Sequence, residues 1–335
     1  MSLRCYVGFD TSNYTTSAAA VTVGDDGKYT VIANIKFPLP VELGERGLRQ
    51  SDALFAHTKN LPDVIRRLSK DLTSYSVSAV GYSSRPRDLE DSYMPVFLSG
   101  RVAAEAYASA INVPAYDFSH QNGHIMAALY SSGALCDGLL DRPFFAFHLS
   151  GGTTEAVLVT PESDIENGAR DGFFKSRLLC ATADINAGQA IDRVGVAMGL
   201  KFPSGAEMES LAREWTGKIP SMKITVKDGK CNLSGLENKA VQLYRESGDK
   251  RLVSAFVFSV IGKTVLKMTE YLQNEFAGDK SYDVLYAGGV MSNTLMRPLL
   301  TDSKNYKTYF AEPQFSADNA AGIALMTAMR HESKE

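Results

Sequence analysis

YVGFDTSNYTTSAAAVT, residues 6–22, and FFAFHLSGGTTEAVLVT, residues 144–160, can be superimposed by sliding the chain 138 positions along itself without a gap. Ser12 falls on Ser150, Thr15 and Thr16 on Thr153 and Thr154, Ala18 on Ala156, and Val21 with Thr22 on Val159 with Thr160. Each copy runs from an apolar strand into a polar turn and resumes with small or β-branched residues, the pattern of a hairpin. Two such hairpins predict two related lobes. The turns would then face one another across a cleft, with Asp10 and His148 at equivalent strand ends.

The flanking sequence predicts an α/β fold. After the first hairpin come a strand over residues 29–37, an amphipathic helix over 51–72, a strand over 77–84, a helix over 98–111 and a strand over 113–118. The second half repeats the alternation with a helix over 186–200, a long helix from Lys250 to Phe276, a strand over 282–289, a helix from Ser292, a strand over 306–311 and a closing helix from Asp318. Strands alternating with helices give sheets covered by helices. We expect a first lobe over 1–118, closed by the last helix at 318–335, and a second over 119–317.

The 335 residues suffice for two such lobes, and 44% hydrophobic content is that of an ordinary globular protein. The longest apolar stretch, around residues 252–262, is short for a membrane span and lacks the flanks of a signal peptide, so a cytoplasmic protein without membrane contact is expected. Cys5, Cys136, Cys180 and Cys231 are scattered without a C-x-x-C pair, which suits a reducing compartment and disfavours a cysteine-ligated zinc. A net charge of −3 gives no global attraction to nucleic acid, although a local basic face or a partner could still hold tRNA.

HQNGH, residues 120–124, places two imidazoles four apart, one turn apart on one face of a helix for which Ser119 is a natural N-cap. That spacing suits capture of a metal ion. His148 at its strand end could converge on the pair, and Asp318 at the start of the last helix offers a carboxylate, unless it serves only as an N-cap. The zinc-protease motif needs a glutamate base after the first histidine, where this chain has Gln121, so proteolysis is disfavoured.

A second set of residues suits a nucleotide. Ser150-Gly151-Gly152-Thr153 supplies backbone N–H groups and hydroxyls at a tight turn, the makings of an anion-binding nest. LYAGGVMSN, residues 285–293, has a strand, then Gly288-Gly289, then an expected helix whose N-terminus would favour an anion. Asp192, in INAGQAIDRVG, could reach a ribose or could instead pair with Arg193 or Lys201.

The motifs H-x-x-x-H, S-G-G-x-T, D-x-x-x-G-x-A-x-D, P-x-G, S-G-L, A-G-G-V-x-x-N and D-N-x-A-x-I-A run in that order through HQNGH, SGGTT, DINAGQAID, PSG, LSGLENKA, AGGVMSN and ADNAAGIA. In this the chain resembles the catalytic subunit of tRNA threonylcarbamoyladenosine synthase, a family once labelled glycoprotease. The resemblance implies the fold of actin, sugar kinases and heat-shock chaperones (the ASKHA fold), with two RNase-H-like lobes. It implies that His120, His124 and Asp318 hold an iron or zinc ion, and it sets His148 where archaeal and eukaryotic members have a metal-binding tyrosine. Thr11 and Ser12 would form the first phosphate turn. Leu149, Ser150, Gly151, Gly152, Thr153, Asp192, Gly205, Gly288, Gly289 and Asn293 would hold an adenine nucleotide: threonylcarbamoyl-AMP, AMP or ATP. The implied reaction is transfer of threonylcarbamoyl from its adenylate to the adenosine beside the tRNA anticodon, with a smaller paralogous subunit and an ATPase as partners.

Three positions depart from the family pattern. Asn13-Tyr14-Thr15 stands where the family has an acidic pair, Arg85-Pro86-Arg87 replaces a Gly-Pro-Gly turn and would add two cations beside the cleft, and Asn122 replaces the acidic residue within the histidine motif. These departures allow a paralogous carbamoyl transfer, or a non-catalytic nucleotide-binding platform, as alternatives. A small-molecule kinase of the same fold would need a carboxylate base at the acceptor and has no use for the histidines.

Overall fold

A computed structural model describes residues 3–39, 48–165, 170–301 and 303–334. The chain divides into two compact units, one of Met1–Ser131, Glu162–Lys175 and Asp318–Glu335, the other of Ser132–Pro161 and Ser176–Ala317. The helix carrying His120 and His124 therefore belongs to the first unit, whereas the sequence reading opened the second lobe at residue 119.

In chain order the first unit has β1 (Leu3–Thr11), β2 (Thr15–Val23), β3 (Tyr29–Pro38), α1 (Gln50–Asp71), β4 (Tyr75–Arg85), α2 (Phe97–Ala110), β5 (Ala115–Ser119) and α3 (His120–Ser131). Its sheet has the order β3-β2-β1-β4-β5, with β1 antiparallel to β2 and parallel to β4. Further along lie β6 (Phe144–Leu149), β7 (Thr154–Pro161), β8 (Phe174–Thr182), α4 (Ala187–Ala197), α5 (Gly205–Arg213), β9 (Val226–Lys227), β10 (Lys230–Cys231), α6 (Ser234–Ser247), α7 (Lys250–Phe276), β11 (Val284–Ala287), α8 (Arg297–Thr301), β12 (Thr308–Phe310) and α9 (Pro313–Ser316). Last comes α10 (Ala321–Glu332), which returns to the first unit.

The second sheet has the order β12-β11-β6-β7-β8-β10-β9, the first sheet's order reversed in listing and extended by β10 and β9. The duplication extends to register. Thr11 pairs with Thr16 and Phe9 with Ala18, while Leu149 pairs with Thr154 and Phe147 with Ala156, each pair shifted by the same 138 positions.

Alternation along β1 sorts its side chains between two helical layers. Cys5, Val7 and Phe9 enter the core that contains Leu61, Val64 and Leu68 of α1 and Ala104 and Ala108 of α2. The opposite face lies under α10, which also packs on α3. The α3–α10 contact is close enough to demand glycine on the α10 side, and it leaves little room on the α3 side. A Cβ on Gly322 would lie 1.8 Å from the Gly123 carbonyl oxygen, and one on Gly123 would lie 2.8 Å from Ile323 Cδ1.

In the second unit α7 runs through the core, burying Phe256, Ile261, Val265, Met268 and Leu272 against Phe145, Phe147 and Tyr286. By length and composition α7 could cross a membrane, which corrects the shorter apolar stretch read from sequence. Its apolar residues are instead mostly buried among its own neighbours, since 72% of that window lies inside the fold. The closing helix starts at Ala321 rather than at Asp318, with Ala320 at its N-cap position, and the Asn319 side chain accepts the Ala321 N–H at 3.0 Å. Nor does a helix start at Ser292. A 3₁₀ turn covers Gly289–Ser292, and α8 begins only at Arg297.

The glycine contact yields a stability prediction. Gly322→Ala forces backbone against backbone, so thermal unfolding should show a loss of about 1–3 kcal/mol, the usual cost of overpacking. Gly133→Ala, at a position with φ +79 and open space, tests the separate cost of backbone conformation.

Candidate metal centre and nucleotide turns

The first turn of α3 starts as the sequence suggests, with Ser119 Oγ accepting the Asn122 N–H at 3.2 Å. His120 and His124 then share a face, and their Nε2 atoms lie 3.0 Å apart. Asp318, just ahead of α10, brings Oδ1 to 3.1 Å from His124 Nε2 and 4.0 Å from His120 Nε2. An ion bound at about 2.1 Å separates neighbouring ligand atoms by about 3.0 Å at a right angle and about 3.4 Å at the tetrahedral angle. The three ligand atoms therefore converge closely enough to share one ion. Two imidazoles and one carboxylate suit iron(II) or zinc.

The next layer holds the ligands in orientation. Asp10, 1% exposed, points to the α3 face of β1 because it alternates with Phe9 and Thr11. Both its oxygens lie 3.0 Å from His120 Nδ1, and Ser83 donates its hydroxyl to Oδ1. A carboxylate on Nδ1 fixes the proton there and leaves the Nε2 lone pair for a metal. Ser12 Oγ donates to Asp318 Oδ2. Below it, the buried His57 donates Nε2–H to the Ser12 carbonyl at 2.7 Å and accepts from Thr16 Oγ1 at Nδ1, 2.8 Å away. Burial lowers the pKa of His57 despite that carbonyl and Asp10, which suits the neutral ring this bonding requires.

Sequence reading passed over Asp10 as a participant and did not single out Ser83 or His57. The available signal was the strand-end equivalence of Asp10 with His148. Thr11, expected at a phosphate, has the opposite parity. It is fully buried, donates its hydroxyl to the Val96 carbonyl at 3.0 Å and accepts the Gly100 N–H at 3.2 Å, so it serves the seat of α2. His148 is the penultimate residue of β6 in the second unit, in register with Glu155 and Ala287. Asp318 is no N-cap, and Arg85 is no surface cation, being 2% exposed and paired with Asp88, Asp117 and Asp171.

The second unit carries the residues expected for a nucleotide. Ser150 Oγ accepts the N–H groups of Gly152 at 3.3 Å and Thr153 at 3.1 Å. Ser12 Oγ does the same for Tyr14 and Thr15, so the turn chemistry is duplicated along with the strands. Those two N–H groups are turned toward the serine, which narrows the nest expected from sequence. The α4 N-terminus packs on the turn, where Gly188 N donates to the Ser150 carbonyl at 3.1 Å and a Cβ on Gly188 would lie 2.7 Å from that oxygen. Gly288, with φ +95, passes so close to β6 that a Cβ would lie 2.2 Å from the Leu149 carbonyl oxygen.

Gly151 and Gly289 differ from these, since a Cβ at either would meet nothing within 4 Å. Packing of the protein does not explain their bareness, and open space at both leaves room for a ligand. Asn293, 5% exposed, uses Oδ1 to accept the Leu295 and Met296 N–H groups and keeps a buried Nδ2 without a partner among the described residues. A donor so placed fits an acceptor on a nucleoside edge. Asp192 accepts the Ser204 N–H at 2.7 Å and so holds the turn that leads to Gly205, while Arg193 pairs with Glu237 instead.

The chain's sequence matches the family described as TsaD, tRNA N6-adenosine threonylcarbamoyltransferase, over residues 46–325. The chain belongs to this family. Among solved structures it is similar to the activator of 2-hydroxyisocaproyl-CoA dehydratase from Clostridium difficile with bound ADPNP, at 12% identity and TM-score 0.51, covering 99% of this chain and 96% of that one. It is also similar to HypF of T. kodakarensis, at 11% identity and TM-score 0.57, covering 98% of this chain and 48% of that one. This TsaD-family chain thus spans about half the length of that HypF. At such identities the likeness is one of fold, and the fold is the ASKHA fold of actin-like ATPases. Family membership supports a role in tRNA modification.

Electrostatics set a pH dependence for the metal-free centre. Burial opposes a charged His120, but the charge and hydrogen bonds of Asp10, aided by Asp318, outweigh it and push the imidazole up to about 9. Burial would raise Asp318, yet the hydrogen bond and charge of His124, the charge of His120 and the Ser12 hydroxyl hold it well below the usual carboxylate range. His120 thus contributes stability that is full below about pH 6.5, its unfolded value, and is lost as pH rises through about 9. Asp318 contributes stability above its unfolded value that is lost in acid. Urea unfolding of metal-free protein should therefore show falling stability from about pH 6.5 to about 9, and Asp10→Asn should flatten that decline.

Proposed function

We propose that this TsaD-family protein transfers a threonylcarbamoyl group from threonylcarbamoyl-adenylate to the exocyclic N6 of a tRNA adenosine, using a divalent metal at His120, His124 and Asp318. The observation that carries the reading is the convergence of those three ligand atoms, with Asp10 on the far nitrogen of His120. In the reaction N6 bonds to the carbamoyl carbon, the bond from that carbon to the adenylate oxygen breaks, AMP leaves, and the amine gives up a proton. A bound iron or zinc would supply Lewis-acid polarisation of carbonyl or phosphate oxygens.

The protein's own groups do the rest. Asp10 keeps the His120 proton on Nδ1, and Ser12 holds Asp318 in its rotamer. On this reading Ser150, Gly151, Gly289 and Asn293 take the adenylate, with Asp192 and Gly205 shaping the adjoining turn. Holding acyl donor and acceptor together supplies proximity. The smaller paralogous subunit and the ATPase implied by family resemblance belong to the same reading.

A second reading, a nucleotide-binding platform without catalysis, is favoured by Asn13 and Tyr14 in place of the family's acidic pair. Incubation with threonylcarbamoyl-adenylate and unmodified tRNA, in the presence of iron or zinc, separates the two. Transfer predicts modified adenosine in the wild type and its loss, by at least about 100-fold, in His120→Ala and Asp318→Ala, as for removal of a metal ligand. His148→Ala in a cobalt titration reports on the fourth ligand expected from sequence. For the nucleotide, Gly151→Leu should leave thermal stability unchanged while abolishing AMP binding measured by calorimetry, because the added side chain meets solvent in the free protein and ligand in the complex.

A further inference from the structure

Arg85 ends β4 with its side chain buried. Nη1 donates to Asp117 Oδ2 at 2.7 Å and to Ser84 Oγ at 2.9 Å, while Nη2 donates to Asp88 Oδ1 at 2.9 Å and to Asp171 Oδ1. Asp171, fully buried, sits on the segment Glu162–Lys175, which groups with the first unit although its chain neighbours on both sides belong to the second. Its other oxygen accepts the Ser119 N–H and the Asn122 Nδ2–H, each at 2.9 Å. Next to Arg85, the Pro86 carbonyl accepts the Gln121 N–H at 3.0 Å.

Three donors around the first turn of α3 thus end on this assembly. Asn122 is fully buried and its Oδ1 has no partner among the described residues, so Asp171 alone fixes that amide. A carboxylate at a helix N-terminus is also favoured by the helix dipole. A buried ion pair adds little net stability over apolar packing of the same volume. What it supplies here is a single arrangement of the turn that begins with His120.

We infer that Arg85 and Asp171 form a buried clamp that positions the first turn of α3, and with it His120 and His124, for the metal ion. They are positioning residues and touch no ligand atom. The inference rests on the metal-binding reading above.

The test uses the full chain and cobalt(II), followed by its visible absorption, beside thermal unfolding. Asn122→Ala removes only the α3 side of the clamp, and Asp171→Asn removes its charge. Both should weaken cobalt binding by about 10–100-fold, the usual effect of losing a residue that orients metal ligands. Asp88→Asn, which takes one carboxylate from Arg85 but leaves its bond to Asp171 in place and does not touch α3, should lower the unfolding temperature and leave cobalt affinity as in wild type. Wild-type affinity in Asn122→Ala, or an equal loss in Asp88→Asn, overturns the inference, and Asn122→Ala decides it if Asp171→Asn fails to fold. If the wild type binds no cobalt, the functional reading fails, and hydrogen exchange decides the clamp separately. The Gln121 amide should then exchange faster in Asn122→Ala but not in Asp88→Asn, and unchanged exchange in Asn122→Ala overturns it.

Discussion

The closest constraint in the first unit is the contact of two bare backbones. Gly123 lies between the two candidate histidine ligands, and Gly322 lies four residues after the carboxylate ligand. A side chain on Gly322 would run into the Gly123 carbonyl, so only glycine allows α10 this close to α3. That closeness lets Asp318 lie 3.1 Å from His124 although 194 positions separate them in the chain. Because interiors are close-packed, helix separation is set by the side chains at the contact. Here the two backbones meet at Gly123 and Gly322, which carry none.

Around this contact the centre is organised in layers of decreasing exposure. His120, His124 and Asp318, the candidate ligands, are partly exposed. Asp10 and Ser83 lie behind His120, and Ser12 lies behind Asp318, all buried. His57 supports Ser12 from the other side of the sheet. A buried carboxylate such as Asp10 is costly unless paired, and the pairing fixes the imidazole tautomer at the same time. The turn at Arg85 extends this organisation to the start of the helix.

The two units show what duplication preserves and what it changes. Strand order, register and the serine-capped turn recur at one constant offset. The strand-end residue differs, Asp10 in one copy and His148 in the other. In the first unit the turn is occupied by its own structure, with Thr11 bonded to α2 and Ser12 to Asp318. In the second, Gly151 and Gly289 border open space. The same hairpin thus orders the helix that carries the candidate metal ligands in one unit and offers open space in the other.

Much of this was legible in the chain itself. The repeat determined paired hairpins and their register, since a period-two pattern specifies which residues face each other. The spacing of His120 and His124 determined a shared helical face, and Ser119 its cap. Glycines and hydroxyls at residues 150–153 marked the second turn. Only the tertiary structure decided the partners. Strand parity turned Asp10 toward His120 and Thr11 away, Asn319 rather than Asp318 took up the Ala321 N–H at the start of α10, and a segment more than 80 positions from Arg85 brought Asp171 to the first turn of α3. Local periodicity dictates which side of an element a residue occupies, but not what the chain later packs against that side. Those contacts are set by packing between segments distant in sequence, and hence by the whole fold.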